Sequence, residues 1–452
     1  MSDPSTDRPN VVFIVADDHG REALGCYGNA AVKTPHLDAL AAEGVRFDNA
    51  FCTTPSCAAS RSVILTGLHN HTNGTYGHTH GPHHFSCFPN VRSLPSFLNE
   101  AGYRTACIGK KHFAPADVFP FSKDLGDPCG RDDVRMAEAC RDLLEGPSPF
   151  LLYWCSHNPH RAEVLENHPL KPNSFGNPSQ SFPCDQEELF NEADVLVPPW
   201  LPDTPEVRAE LAQYWQSIAR LDRGVGRLVE LLKETGQYEN TLIVYVSDNG
   251  AAFPASKTTF YDPGIRLPCI VRPPRCAIPG SVRDELIAWY DWIPTILDFA
   301  GVANPPDNLF GKSIRPLLGE PSGIPWREEI YAAHTFHEIT NYYPMRAVCT
   351  AQYKFIWNIA SPLPFSFASD LWRSASWKAF QHLEKGNFGC RPLENFLHRP
   401  RFELYDVVED PNEIHNLAGQ MKFQTVVEEF CEKIRSFQKK TKDPWLTKWE
   451  HE

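Results

Sequence analysis

Three stretches of this chain carry hydrophobic runs too continuous for a strand with one face in water. Val11 to Asp17 reads VVFIVAD, Pro149 to His157 reads PFLLYWCSH, and Asn240 to Gly250 reads NTLIVYVSDNG. A half-solvated strand alternates apolar and polar residues, whereas an unbroken apolar run belongs to a strand covered on both faces, as in a parallel sheet. Helical patterns lie between the runs. PHLDALAAEG (Pro35 to Gly44) has an early proline, apolar residues at helical spacing and a closing glycine. RSLPSFLNEAGY reads as a helix and the following RTACIGK as a strand. Residues 206–236 hold a long helical period that Gly236 ends, and DWIPTILDFAG (Asp291 to Gly301) is a short helix. Strands alternating with helices give an α/β class, with a large mixed, mostly parallel sheet flanked by helices.

Past residue 340 the pattern changes. Met345 to Asn358 and Arg401 to Val408 read as antiparallel strands, and Gln424 to Thr441 as a closing amphipathic helix. The expected division is a larger domain over 1–340 and a smaller α+β domain over 341–452. The aromatic-rich stretch from 360 to 400 supports no assignment.

A net charge of −13 excludes nucleic acid as a partner and gives no general attraction to polyanions. Any positive charge that meets an anionic substrate must be local to a pocket. No stretch has the apolar length of a membrane span, so no membrane partner is expected. The polar start MSDPSTDRPN is no secretory signal, so the expected compartment is the cytoplasm; a secreted, periplasmic or lysosomal location requires a removed leader. The fourteen cysteines form no CxxC pair and no Cys/His zinc pattern, which fits buried small apolar residues in a reducing compartment. Asn70 and Asn73 match the glycosylation sequon, a frequent chance match without meaning inside a cell.

The three runs end in polar chemistry: Asp17-Asp18-His19, then HNPH from His157 to His160, then Asp248-Asn249-Gly250. Open α/β sheets bind ligands outside the carboxyl ends of their strands. Each cluster alone reads more readily as a turn, helix cap or loop; their recurrence at the ends of one class of strand points to a site. Asp17, Asp18, Asp248 and Asn249 make an all-oxygen cage suited to Ca2+ or Mg2+ rather than zinc. CAASR places Cys57 at the mouth of a helix, where unpaired N–H groups favour an anion, with Arg61 one turn on. Lys110, His112, His157 and Lys257 add cationic or proton-donating groups. The set suits a tetrahedral oxyanion such as sulfate or phosphate, yet a thiolate fits a hard-oxygen cage poorly.

Cys57-Ala58-Ala59-Ser60-Arg61 followed by Leu65-Thr66-Gly67 resembles the signature of the type I sulfatases, in the alkaline phosphatase superfamily, with Ala59 where proline is usual. RPNVVFIVADDHG, TPHLDALAAEGVRFDNAF, GKKH, HNPH, SDNG, Lys257 and ELYDVVEDPNEIHNLAG follow in the family's order. HTHGPHHFSCF, GKKHFAP, HNPHR, SDNGAAFP and HEITNYYPMR resemble the sulfamidase subgroup, the heparan N-sulfatases.

The resemblance implies that Cys57 is oxidised to formylglycine by a formylglycine-generating enzyme. Its hydrate is then the nucleophile, and oxygen replaces the sulfur that suits the cage so poorly. It further implies that Asp17, Asp18, Asp248, Asn249 and residue 57 hold the cation, and that Arg61 holds the formylglycine. Lys110, His157 and Lys257 then grip the sulfate, His157 or Lys257 protonates the leaving group, and His112 takes the final proton. His337, Glu338 and Arg346 are the candidates for sugar contacts; an ordinary loop between domains is the competing reading. The implied substrate is the N-linked sulfate of N-sulfoglucosamine, on a small sulfated sugar or a glycan chain end. The alternatives are an O-sulfatase or arylsulfatase, a phosphonate or phosphate ester hydrolase of the same superfamily, and a non-enzymatic calcium-binding module. Many relatives form dimers, which makes a homodimer an open expectation with no interface segment to name.

Overall fold

In the computed structural model, which describes residues 8–169, 171–183, 185–302, 306–319, 323–381 and 386–451, each of the three apolar runs is a strand in the middle of one sheet. The residues before Arg8, on which the reading of the N-terminus partly rests, lie outside that description. The sheet comprises β1 (Asn10–Ala16), β2 (Val45–Phe47), β3 (Arg104–Gly109), β4 (Lys123–Asp124), β5 (Phe150–Cys155), β6 (Thr241–Ser247), β7 (Cys269–Arg272) and β8 (Ser281–Arg283). Their order is β4-β3-β5-β1-β6-β7-β2-β8. β1 is parallel to β5 and β6, and β3 to β4 and β5, while β7 runs against both of its neighbours.

β1 shows why its sequence is apolar throughout. Val11, Phe13 and Val15 enter one hydrophobic cluster, and Val12, Ile14 and Ala16 enter another on the opposite face. All six are at 0% exposure, and burying each Val, Ile or Phe side chain contributes about 1.5–3 kcal/mol. The helices that cover the faces are α1 (Pro35–Glu43), α2 (Cys57–Thr66), α3 (Leu94–Glu100), α4 (Pro205–Glu234) and α5 (Trp292–Phe299). α4 begins where Thr204 Oγ1 accepts the Val207 amide and Pro205 takes the first helical position; Gly236 follows its end at φ +70°.

A second, antiparallel sheet has the order β9 (Glu329–Phe336), β10 (Tyr342–Thr350), β11 (Tyr353–Asn358) and β12 (Phe402–Asp406). Its first strand thus begins ahead of residue 341, where the sequence reading started the smaller domain. The stretch from 360 to 400 contains α6 (Ser369–Trp372), α7 (Ala375–Lys378), α8 (Leu393–Leu397) and a small hairpin pairing 387–388 with 391–392. Elements of two to five residues are too short to display a period, so this stretch supports no assignment from its pattern. The closing helix α9 (Gln424–Thr441) packs Val427, Phe430 and Ile434 against Val348, Phe355 and Leu404, which lie side by side across β10, β11 and β12.

No helix among the described residues is long and apolar enough to cross a membrane. The thirteen described cysteines are all free thiols, nine of them buried. Both sequon asparagines are buried, and Asn73 Nδ2 donates to Ser62 Oγ and Thr66 Oγ1, tying down the end of α2. They serve packing, not glycan attachment.

Candidate active site

β3, β5, β1 and β6 lie side by side, and the segment after each turns into one place. β1 delivers Asp17 and Asp18, β3 delivers Lys110 and His112, β5 delivers the HNPH turn, and β6 delivers Asp248 and Asn249. Backbone bonds join these turns: the Asp17 amide donates to Asn158 O (3.1 Å) and the Asp248 amide to Ala16 O (3.1 Å). The glycine of SDNG is required because a Cβ on Gly250 would stand 1.9 Å from Pro263 O. Asp18, His112, Ala255 and Thr258, all within or beside the site, have positive φ. Such backbone costs about 1–3 kcal/mol for each non-glycine residue and persists where its surroundings hold it, often at functional sites.

α2 enters from the side with every residue buried. Arg61 Nε donates to Asp248 Oδ2 (2.9 Å), Nη1 donates to Lys110 O (2.9 Å), and Nη2 stands in ion-pair contact 2.8 Å from Asp248 Oδ2. Lys110 pairs with Asp17. Lys257 Nζ donates to Asp18 Oδ2 (2.9 Å) and to Asp370 Oδ2 (3.0 Å). Asn249 Nδ2 donates to Asp18 Oδ1 (2.6 Å), and Cys57 Sγ lies 3.8 Å from the same oxygen. Burial pushes the Asp17 carboxyl up, but Lys110, His160 and Arg61 outweigh it and hold Asp17 well below the usual carboxylate range. Burial pushes Asp248 up to about 7 against the pull of Arg61. Burial also raises the Cys57 thiol well above its ordinary value, despite Lys257 and Lys110, so the unmodified side chain keeps its proton.

Donor atoms of Asp17, Asp18, Cys57 and His160 lie within 4.8 Å of one another. Asp17 Oδ1 and Asn249 Oδ1 are buried without a hydrogen-bond partner, an arrangement that leaves acceptor capacity for a cation. Three carboxylates and an amide oxygen fit a hard divalent ion. The protonated thiol and the His160 imidazole are the donors that do not, and an oxygen at residue 57 would extend the oxygen set.

A model of the Sulfatase family matches residues 9–302 of this sequence. The chain belongs to the sulfatase family. A second model, N-sulphoglucosamine sulphohydrolase, C-terminal, matches residues 255–364 of this sulfatase. It is 36% identical to human N-sulphoglucosamine sulphohydrolase over 97% of its own chain and 91% of the human protein. It is 24% identical to an N-acetylglucosamine-6-O-sulfatase of Bacteroides thetaiotaomicron over 97% of this chain and 88% of that one. Among solved structures, one complex of a protein with its substrate D-glucosamine-2-N,6-O-disulfate superposes with a TM-score of 0.71 at 23% identity, covering 98% of this chain and 100% of that one. The fold is therefore the sulfatase fold. It is shared with the phosphonate monoester hydrolase of Agrobacterium radiobacter at a TM-score of 0.67 and 20% identity, over 96% of each chain.

Most residues that the sequence pointed to converge in this sulfatase: Asp17, Asp18, Cys57, Arg61, Lys110, Asp248, Asn249 and Lys257 form one buried network. His157 does not join it. Its Nε2 pairs with Asp127 Oδ2 (2.8 Å) in a partly exposed position. His160, the other histidine of HNPH, enters instead, with Nε2 3.7 Å from Asp18 Oδ2 and 3.8 Å from Asp370 Oδ2. The spacing of two histidines in one turn was visible in the sequence, but not which of them faces inward. Asp370, on α6, is a site residue that sequence reasoning missed altogether.

Of the sugar-contact candidates, Glu338 lines a cleft of about 630 Å³ together with Asn341, Phe365, Phe367, Trp372 and Trp377, and bonds Ser369 Oγ. His337 is buried, with Nδ1 3.0 Å from Ser56 Oγ and Nε2 3.0 Å from His78 Nε2. Arg346 is a correction. Its guanidinium is at 0% exposure, held by Asp443 Oδ1 (2.8 Å) and His334 O (2.9 Å), so it joins β10 to the segment after α9 and reaches no sugar. Removing one partner of a buried pair strands the other charge, so Arg346→Ala is expected to destabilise by about 3–5 kcal/mol. Denaturant melts test this; unchanged stability with a raised KM would restore the sugar-contact role.

Proposed function

We propose that this sulfatase hydrolyses the N-linked sulfate of N-sulfoglucosamine, on a small sugar or at a glycan chain end, after a formylglycine-generating enzyme has converted Cys57. The observation that carries this reading is the match of the N-sulphoglucosamine sulphohydrolase C-terminal model to residues 255–364. That segment holds Lys257, which donates to Asp18, the buried His337, and Glu338, which lines the cleft. The 36% identity to the human enzyme supports the same substrate class.

A formylglycine hydrate would supply a hydroxyl nucleophile, and Ca2+ or Mg2+ on Asp17, Asp18, Asp248 and Asn249 would supply fixed positive charge beside it. The chain's own residues do the rest. Arg61, locked between Asp248 and Lys110 O, orients residue 57. Lys110 and Lys257 stay charged despite burial, because Asp17 and Asp18 respectively stand against them. They face the sulfate oxygens with a preorganised positive field.

Lys257 carries a proton into the reaction. His160 is held down at about 4 by burial, then by Lys110 and Lys257; an incoming anion favours its protonated form. The two together protonate the departing nitrogen. His112, kept neutral by burial and by Lys110, takes up a proton in the second half of the turnover.

A paired assay of N-sulfoglucosamine and glucosamine 6-O-sulfate tests the substrate. The expected result is a kcat/KM at least about 100-fold higher for the N-sulfate. A preference for the 6-O-sulfate would make the protein an O-sulfatase, and a preference for an aryl phosphonate would place it with the phosphonate hydrolases.

A further inference from the structure

We infer that His78, His80 and His112 form a binding site for a divalent transition-metal ion of the zinc class, beside the hard-cation site and separate from it. One ring nitrogen of each lies within 4.8 Å of the others. The rings are close: His80 stacks on His112 at 4.6 Å, and His78 lies 4.9 Å from His80 and 5.5 Å from His112. Three imidazoles with no carboxylate among them are a borderline-soft donor set, which Zn2+, Cu2+ or Ni2+ takes and Ca2+ does not.

The histidines are arranged as ligands need to be. His78 is 7% exposed, and its Nδ1 has no hydrogen-bond partner. Its Nε2 lies 3.0 Å from His337 Nε2, and His337 Nδ1 lies 3.0 Å from Ser56 Oγ. With Ser56 accepting from His337 and His337 accepting from His78, Nδ1 of His78 is left as a lone pair, the relay by which ligating histidines are oriented. The Nδ1 of His112 is likewise buried and unpartnered. Burial, and then neighbouring positive charge, keeps His78 and His112 neutral, as ligation requires.

His80 closes the site from the exposed side. The loop carrying His78 and His80 is anchored at both ends, with the His78 amide donating to His337 O (2.9 Å) and the Phe85 amide to His78 O (3.1 Å). Lys111, which directly precedes His112, is paired with Asp124, and Lys110 with Asp17.

An ion here occupies the lone pair that His112 uses as a proton acceptor, so it inhibits; this consequence rests on the role proposed for His112, whereas binding does not. The test is a calorimetric titration of Zn2+ into the full chain in saturating Ca2+, with His80→Ala alongside. His80 is exposed and outside the catalytic machinery. One ion per chain is expected, bound at least about 10-fold more weakly by His80→Ala. No zinc uptake in saturating Ca2+, or equal affinity in His80→Ala, would overturn the site. In the same samples zinc is expected to slow sulfate release by the wild type and much less by His80→Ala. Zinc bound through His80 with turnover unchanged would uphold the site and overturn the inhibition, and with it the proton role of His112.

Discussion

Cys57→Ala is expected to lower sulfate release by at least about 10⁴-fold, the scale on which an enzyme loses rate with its nucleophile. The loss is chemical and not structural. Cys57 opens α2 at 0% exposure, among alanines and serines, and its thiol makes one long contact, to Asp18. Trimming it to alanine costs on the order of 1 kcal/mol, and α2 remains held through Arg61 and through Asn73 on Ser62 and Thr66. The thermal melt should therefore stay close to the wild type while turnover disappears. A variant that melts normally and retains a tenth or more of the wild-type rate would remove residue 57 from the chemistry.

His160→Ala is expected to separate substrates by their leaving groups. A nitrogen leaving from a sulfamate needs a proton; a nitrophenolate does not. Loss of a positioned acid costs about 10²–10⁴-fold where the proton is needed. The variant should lose that much kcat on N-sulfoglucosamine and about 10-fold or less on nitrophenyl sulfate. His157→Ala is the control, because His157 faces Asp127 at the partly exposed edge. It should cost little on either substrate. Equal losses for His160→Ala on both substrates would show a binding role and not proton donation. A selective loss in His157→Ala would return the acid to that residue.

The contrast between these two histidines shows what a sequence can and cannot specify. An apolar run marks a buried strand, and polar residues straight after it mark the sheet edge where ligands bind, so Asp17, Asp18, Asp248, Asn249 and Lys110 were legible; Cys57 was legible from the CAASR signature at a helix start. HNPH sits on the same edge, but its two histidines are equivalent until the turn is pinned. Asn158 pins it: its Oδ1 accepts from Ser217 Oγ (3.0 Å), and its Nδ2 donates to Asp133 Oδ2 (2.7 Å). Those partners come from distant segments, and they send His157 and His160 to different sides. Asp370 was illegible because α6 is four residues long in a stretch without periodicity. Arg346 was misread because its partner Asp443 lies 97 residues further on, and a strand pattern does not distinguish a charge that seals a core from one that lines a pocket.

A peptide mass spectrum across Cys57, taken on a preparation whose turnover of N-sulfoglucosamine has first been established, decides whether residue 57 is the nucleophile. Residue 57 is expected to have exchanged sulfur for oxygen, as aldehyde or hydrate, in proportion to specific activity. An intact, alkylatable thiol throughout a fully active preparation would contradict it.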